Sequence, residues 1–168
     1  QAGLDIKLLY DPKARYPIDK TAKLMKLAVL ATGDPAFGLS VAKCSKPALL
    51  QSVEISATFS NSILSGLERV ARISHLISDG VDVHVRKESD CVLAEYHISP
   101  ENRTFVSHES IDAFFGNLCY RMQEGAPESI KAVNFCREIP SEDVCEVYRK
   151  FFDVPVRFGQ SLDSIEFD

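Results

Sequence analysis

Two arginines and a histidine stand at three-residue intervals in the middle of the chain, at Arg69, Arg72 and His75. Side chains at this spacing lie on neighbouring turns of a helix, where they could converge on an anionic ligand. The surrounding residues 61–78 carry a largely apolar stripe opposite these basic residues. The pattern predicts a helix whose largely apolar face is buried. That stripe consists of Ile63, Leu67, Val70, Ser74 and Ile77. Because a solvated basic face is the commoner outcome of such a pattern, the sequence favours it over a ligand cluster.

Cysteine and histidine supply the other candidates for chemistry. The chain has five cysteines, an odd number, and no two of them have the spacing of a structural zinc site. We therefore expect reduced thiols and no bound metal. His84 and His97 have no third ligand at a recognised spacing, and exposed strand histidines with carboxylate neighbours are the favoured interpretation. One enzymatic alternative stays open, a thiol hydrolase that pairs Cys91 with His84 or His97.

Other catalytic signatures are missing. The sequence contains no GxSxG elbow, P-loop, HExxH motif or dinucleotide-binding glycine pattern. No catalytic residue and no cofactor are predicted.

Periodicity places these residues on a set of helices. Helices are predicted from Pro17 to about Thr32, from residues 34–35 to about Cys44, from Pro47 to about Ala57, over 61–78, from Ser107 to Gly125 and from Ser141 to Phe152. The first has a wide apolar face, which predicts heavy burial. In the fifth, Phe114, Phe115 and Tyr120 belong to the core or line one wall of an apolar cavity.

The last helix has the clearest helical pattern at the end of the chain. Ser141 is a predicted N-cap, and one apolar face is predicted to be buried. That face comprises Val144, Val147, Tyr148, Phe151 and Phe152. Pro155 forbids continuation of the helix.

Period-two alternation marks the strands. Residues 81–86 and 92–98 predict a hairpin around Ser89 and Asp90, with paired residues whose numbers sum to 179. A further strand is predicted at 131–137, and a closing strand pair at 156–158 and 164–167. The order of helices and strands lacks strict alternation, so we predict an α+β fold with several N-terminal helices packed on a small mixed or mostly antiparallel sheet.

Composition limits the function classes. A chain of 168 residues with net charge −5 lacks the electrostatic footprint of a nucleic-acid binder, and its basic residues are scattered. The sequence has no apolar run of membrane-spanning length and no signal peptide, so a cytoplasmic location without membrane contact is expected. Because the chain begins at Gln1, we expect it to be a piece of a longer protein.

Three ordered segments together resemble a known family. The first is DPKARYP at 11–17 with TGDPAFGL at 32–39, and the second is SILSGLERVAR at 62–72 with HLIS at 75–78. The third is VYRKFFDVPVRFG at 147–159, closing with IEFD at 165–168. Across essentially the whole chain the sequence resembles the N-terminal, arabinose-binding-like effector domain of AraC-family transcription regulators.

The resemblance implies a single regulatory domain over residues 1–168 of a bacterial regulator. It would bind a small-molecule effector, form a homodimer and control a twin helix-turn-helix domain downstream of this chain, the only part that touches DNA. A ligand-free interaction module remains an alternative. For ligand contacts, we predict polar groups near the boundary between helices and sheet: Arg69, Arg72, His75, Tyr96, Tyr120 and Arg157. An anionic effector would need an arginine that is turned inward.

Overall fold

The N-terminal part of the chain forms two helices joined by a tight turn. The computed structural model describes residues 2–11, 14–44, 62–78, 80–125 and 129–168. A 3-10 helix at Ile6–Tyr10 precedes α1 (Ile18–Thr32) and α2 (Phe37–Cys44). Gly33 ends α1 with φ of 68°, a conformation that favours glycine. The predicted helix at 47–57 lies outside the described residues.

The prediction of heavy burial for α1 is wrong. Ala22 is its one buried residue, while Leu24 is 44% exposed and Leu30 is 81% exposed. Among the described elements, the helix packs against α2 and against α4, a helix at residues 108–125. The wide apolar face of α1 therefore did not predict how deeply this helix is buried.

The predicted helix with the basic cluster is α3 (Ile63–Ile77). Ser62 caps it, because its hydroxyl accepts a hydrogen bond from the Ser65 N–H at 3.2 Å. Leu67, Val70 and Ser74 of the predicted stripe are buried.

A five-stranded sheet carries the helices on one face. Its strands are β1 (Val81–Lys87), β2 (Val92–Ile98), β3 (Ile130–Asn134), β4 (Val156–Arg157) and β5 (Asp163–Phe167). Their order is β1-β2-β5-β3-β4, and every pairing is antiparallel except the parallel pair β3–β4. The α+β prediction with a mixed sheet is confirmed.

The hairpin is confirmed in register as well as in position. Val81 opposes Ile98 and Lys87 opposes Val92, so every pair sums to 179. The N–H of Glu88 donates to the carbonyl of Cys91 at 2.8 Å and closes the turn. The register follows from the alternation, because a slip of one residue would turn the apolar side chains to the other face.

The predicted closing strand pair is wrong. β4 and β5 do not pair, because β3 lies between them. β3 is also shorter than the predicted 131–137, and both Ala132 and Val133 are completely buried although they point to opposite faces. A central strand of this kind loses the alternation on which its prediction rests.

Two further helices complete the layer over the sheet, α4 (His108–Gly125) and α5 (Glu142–Phe152). Ser107 caps α4, since its hydroxyl accepts from the Ser110 N–H at 3.3 Å. Ser141 occupies the N-cap position of α5, but its side chain makes no capping hydrogen bond. Tyr148 and Phe152 are buried as predicted, whereas Val147 is 46% exposed.

The core lies between the helices and the inner face of the sheet. Its largest fully buried side chains are Phe115, Phe135, Phe152 and Phe167. Helix α2 reaches α4 through Gly38, where a Cβ would collide with the Glu109 carbonyl oxygen and the Asp112 side chain. Within the described ranges no single helix is long and apolar enough to cross a membrane; one bent pair, α1 with α2 at 106°, meets that criterion by length and composition.

Candidate functional site

The structure distributes the six predicted ligand contacts over several surfaces. On α3, Arg72 and His75 are exposed and Arg69 is half-buried. Tyr120, on α4, is 39% exposed. Tyr96 is buried on the inner face of β2, whereas Arg157 lies opposite Asn134 on the outer face of the sheet. The sheet therefore separates Tyr96 from Arg157, and the six residues do not form one site.

A small cavity lies where a pocket between helices and sheet was expected. Its walls include Leu67 and Val70 of α3, Tyr96 of β2 and Phe114 and Phe115 of α4. Its volume is about 10 Å³, room for no more than one water molecule. Burial raises the pKa of Tyr96, so its hydroxyl stays neutral. Phe114 and Phe115 thus line an apolar wall and Tyr120 does not, but the space beside them is too small for an effector.

The thiol–imidazole pair does not form. Cys91 lies at the turn of the hairpin, and His97 is six residues further along extended chain, roughly 20 Å away. His84 opposes Glu95, which is four residues from Cys91 or roughly 13 Å. Partial burial and the neighbouring Glu88 also raise the pKa of the Cys91 thiol, which disfavours the reactive thiolate.

The outer face of the sheet presents a polar network in place of that pair. The Arg86 guanidinium donates to Glu95 at 2.8 Å, and the His97 ring lies 3.1 Å from the other oxygen of the same carboxylate. The rings of His84 and His97 stack with centroids 4.2 Å apart. Partial burial alone would raise the pKa of Glu95, but His97 and Arg86 together hold it below its usual value.

Arg157 takes part in a second polar group on the same face. It donates to Glu166 at 2.7 Å, and the Asn134 side-chain amide donates to the same Glu166 oxygen at 2.9 Å. The guanidinium of Arg157 is therefore already paired. No group of three or more histidine, cysteine or acidic side chains in the described residues could hold a metal ion.

A buried charged cluster joins α4, α5 and the segment after β3. The carboxylate of Asp112, 2% exposed, accepts from Arg137 Nη2 at 2.7 Å and from the Tyr148 hydroxyl at 2.6 Å. We call Asp112, Arg137 and Tyr148 the Arg137 cluster. Burial raises the pKa of Asp112, against the opposing effects of Arg137 and Tyr148. Burial and the adjacent Asp112 likewise raise the pKa of Tyr148.

Three aromatic rings surround the guanidinium of Arg137. Its central carbon lies 4.3 Å from the ring centroid of Phe135, 5.2 Å from that of Tyr148 and 5.5 Å from that of Phe158. We call these three residues the aromatic box. Cation–π attraction stabilises the buried charge in addition to Asp112.

Arg137 also has hydrogen-bonding capacity that the described residues do not use. Its Nη1 atom is buried and has no partner among them. An unmet buried donor costs about 1–3 kcal/mol, more when it is charged. Because buried donors in native proteins are nearly always hydrogen-bonded, we expect Nη1 to bind an acceptor.

Sequence reasoning missed this cluster. Arg137 follows Cys136 and precedes Glu138, a polar run that looks solvent-exposed. The available signal was Asp112, a carboxylate three residues before Phe115 and seven before Cys119, on the buried side of α4. A lone acid among apolar positions indicates a buried basic partner but not which one.

Comparison with known proteins agrees with this fold. The model of one family, described as the arabinose-binding domain of AraC transcription regulators, N-terminal, matches residues 1–168. The chain belongs to this family. No curated protein matches the sequence significantly.

Among solved structures, the chain is similar to the transcriptional regulator CdpR from Pseudomonas aeruginosa. The TM-score is 0.63 at 12% sequence identity, and the match covers 92% of this chain and 56% of that one. At this identity the likeness shows the fold alone. The chain spans little more than half the length of that regulator.

Proposed function

We propose that the chain is the effector-sensing and dimerisation domain of a bacterial, cytoplasmic AraC-type transcription regulator. A small molecule binds this domain and changes the DNA affinity of a twin helix-turn-helix domain outside the chain. The observation that carries the proposal is the family match over residues 1–168. The fold shared with a transcriptional regulator and the net charge of −5 support it, since an acidic half has no role in contacting phosphates.

The small cavity bears on how an effector binds. A space of about 10 Å³ holds no sugar, so an effector at this cavity would need a more open state besides the closed one described. A ligand changes such an equilibrium by as much as its affinities for the closed and open states differ. The same observation favours a second candidate function, a ligand-free module that acts by self-association alone.

DNA binding by the complete protein tests the first proposal. Arabinose, which the family description names, is the first effector to try, followed by other small metabolites. A functional coupling changes DNA affinity by about 5- to 150-fold. The proposal would be contradicted if the complete gene encodes no basic twin helix-turn-helix segment after residue 168.

Sedimentation equilibrium of the 168-residue chain tests self-association. A concentration-dependent dimer is the expected result for both candidate functions. If the chain is dimeric but no small molecule changes the DNA affinity of the complete protein, the ligand-free module is favoured. A monomer at all accessible concentrations contradicts the dimerisation part.

A further inference from the structure

Arg137 is the arginine that the structure turns inward. Its side chain is 11% exposed, whereas the predicted contact Arg72 is exposed and Arg157 is paired with Glu166 on the outer face of the sheet. Nη2 of Arg137 is occupied by Asp112, and Nη1 is buried without a partner in the described part of the chain. The position thus combines a fixed guanidinium with a free pair of donors.

The surroundings of Nη1 favour a particular chemistry. The aromatic box, Phe135, Tyr148 and Phe158, supplies apolar walls around a single polar anchor, the usual composition of a small-molecule site. The free atom is a donor, so the ligand must offer an acceptor such as a carbonyl or hydroxyl oxygen.

Charge balance then selects among acceptors. Asp112 already neutralises Arg137, and its carboxylate lies 2.7 Å from the guanidinium. An anionic ligand would bring an uncompensated negative charge beside a buried carboxylate, and a cationic ligand would meet Arg137 itself. A neutral acceptor satisfies Nη1 without either cost.

We propose that Arg137 Nη1 anchors a neutral small molecule through an acceptor oxygen, with the apolar body of the ligand against the aromatic box. This inference rests on the proposed ligand-sensing function and names the site and the ligand class. An inward arginine was the condition for an anionic effector, but Arg137 is already paired with Asp112 and so favours a neutral one.

The β4–β5 loop, residues 158–162, brings Phe158 against the guanidinium of Arg137, so in this proposal a ligand enters past it. It is held on the Arg137 segment by two backbone hydrogen bonds, from the Gly159 N–H to the Arg137 carbonyl at 2.9 Å and from the Gln160 N–H to the Phe135 carbonyl at 3.0 Å. Residues 159–162 are exposed, and Phe158 is half-buried. Because Nη1 is enclosed, a ligand reaches it when this loop lifts and Phe158 turns aside.

Three probes that share one ring separate the ligand classes. Benzamide offers a neutral carbonyl, benzoate an anion and benzylamine a cation. In ¹⁵N NMR titrations of the 168-residue chain, benzamide is expected to shift the Gly159 and Gln160 amides and the Arg137 side-chain signal saturably. Benzoate and benzylamine are expected to bind at least about tenfold more weakly, because each brings an unbalanced charge to a buried ion pair.

Two substitutions test the anchor. Arg137→Lys keeps the charge beside Asp112 but loses the guanidinium fork, and benzamide affinity should fall about tenfold or more. Arg86→Lys, paired with Glu95 on the outer face of the sheet, is the matched control and should leave the affinity unchanged. If Arg137→Lys does not fold, Phe158→Leu keeps the Arg137–Asp112 pair and should weaken benzamide by removing one wall of the box.

Several results would overturn the site. They are equal binding of all three probes, no saturable shift with benzamide, full affinity in Arg137→Lys, or a tightly held water at Nη1 that no probe displaces. The proposed function fails separately. If an effector still controls DNA binding in a full-length Arg137→Lys protein, the sensing function stands and this site is wrong.

Discussion

Asp112 is the residue on which the Arg137 cluster depends, because its carboxylate accepts from both Arg137 and Tyr148. Asp112→Asn removes the charge at nearly constant volume and leaves a buried guanidinium unpaired. We expect a loss of about 3–5 kcal/mol in the free energy of unfolding, measured by urea denaturation. Asp82→Asn, an exposed site on β1, is the control and should change stability by less than about 0.5 kcal/mol. Equal effects of the two variants would mean that the cluster does not stabilise the fold.

Glu95 gives the outer face of the sheet a pH dependence. Its pKa is lower in the folded state than in the unfolded chain, because His97 and Arg86 outweigh the effect of partial burial. Between the folded and the unfolded pKa of Glu95, the unfolded chain binds more protons than the folded chain. The stability that Glu95 contributes is therefore fully present above the unfolded pKa and is lost as the pH falls through the folded pKa.

Urea denaturation between pH 6 and pH 3 measures this dependence. The stability difference between the wild-type chain and Glu95→Gln should shrink as the pH falls. Glu101→Gln, an exposed site after β2, should show no such trend. A difference that stays constant down to pH 3 contradicts the assignment.

At the residue scale, the sequence predicted pairs better than clusters. The opposition of His84 to Glu95 and of Asp82 to His97 followed from the hairpin register and is confirmed. The Arg137 cluster joins residues 25 and 36 positions apart in the chain. Its formation depends on how α4 and α5 meet beyond the end of β3, which no local pattern contains.

Gly38 determines how closely helices α2 and α4 approach. Gly38→Ala would force the helices apart, since the new Cβ overlaps backbone at Glu109. The cost of overpacking, about 1–3 kcal/mol, should exceed the gain of about 1 kcal/mol in helix propensity. Thermal unfolding should therefore show a lower midpoint, and exposed Cys44→Ala on the same helix serves as control. An unchanged or higher midpoint would show that the contact yields freely.

At the element scale, periodicity predicted an element correctly when one of its faces is buried and the other is exposed to solvent. The hairpin and α3 have one buried and one solvated face, so periodicity located both. Both faces of β3 are buried, and its prediction as a longer alternating strand failed for that reason. For α1 the apolar face is not matched by burial, because Leu24 and Leu30 remain exposed.

At the scale of the whole molecule, the described residues form a sheet with helices on one face and polar side chains on the other. The α+β class was predictable from the order of elements, and the family from three segments that the family match confirms. The strand order was not predictable, because β5 pairs with β2 and β3 through contacts between residues far apart in the sequence. The ligand contacts proposed from the sequence stay predictions, and they are spread over both faces of the sheet.

The hydroxyl of Ser74 has a consequence for self-assembly. On α3, it donates to the Ala71 carbonyl at 2.8 Å and accepts from the Val83 N–H of the edge strand β1 at 3.3 Å. A strand of another molecule cannot use that N–H to lengthen the sheet, and the opposite edge, β4, offers two residues as a template. One donor of the β1 edge is thus occupied, and the short β4 edge offers little backbone for pairing. We therefore expect the proposed dimer to associate through helices or through the polar face of the sheet instead.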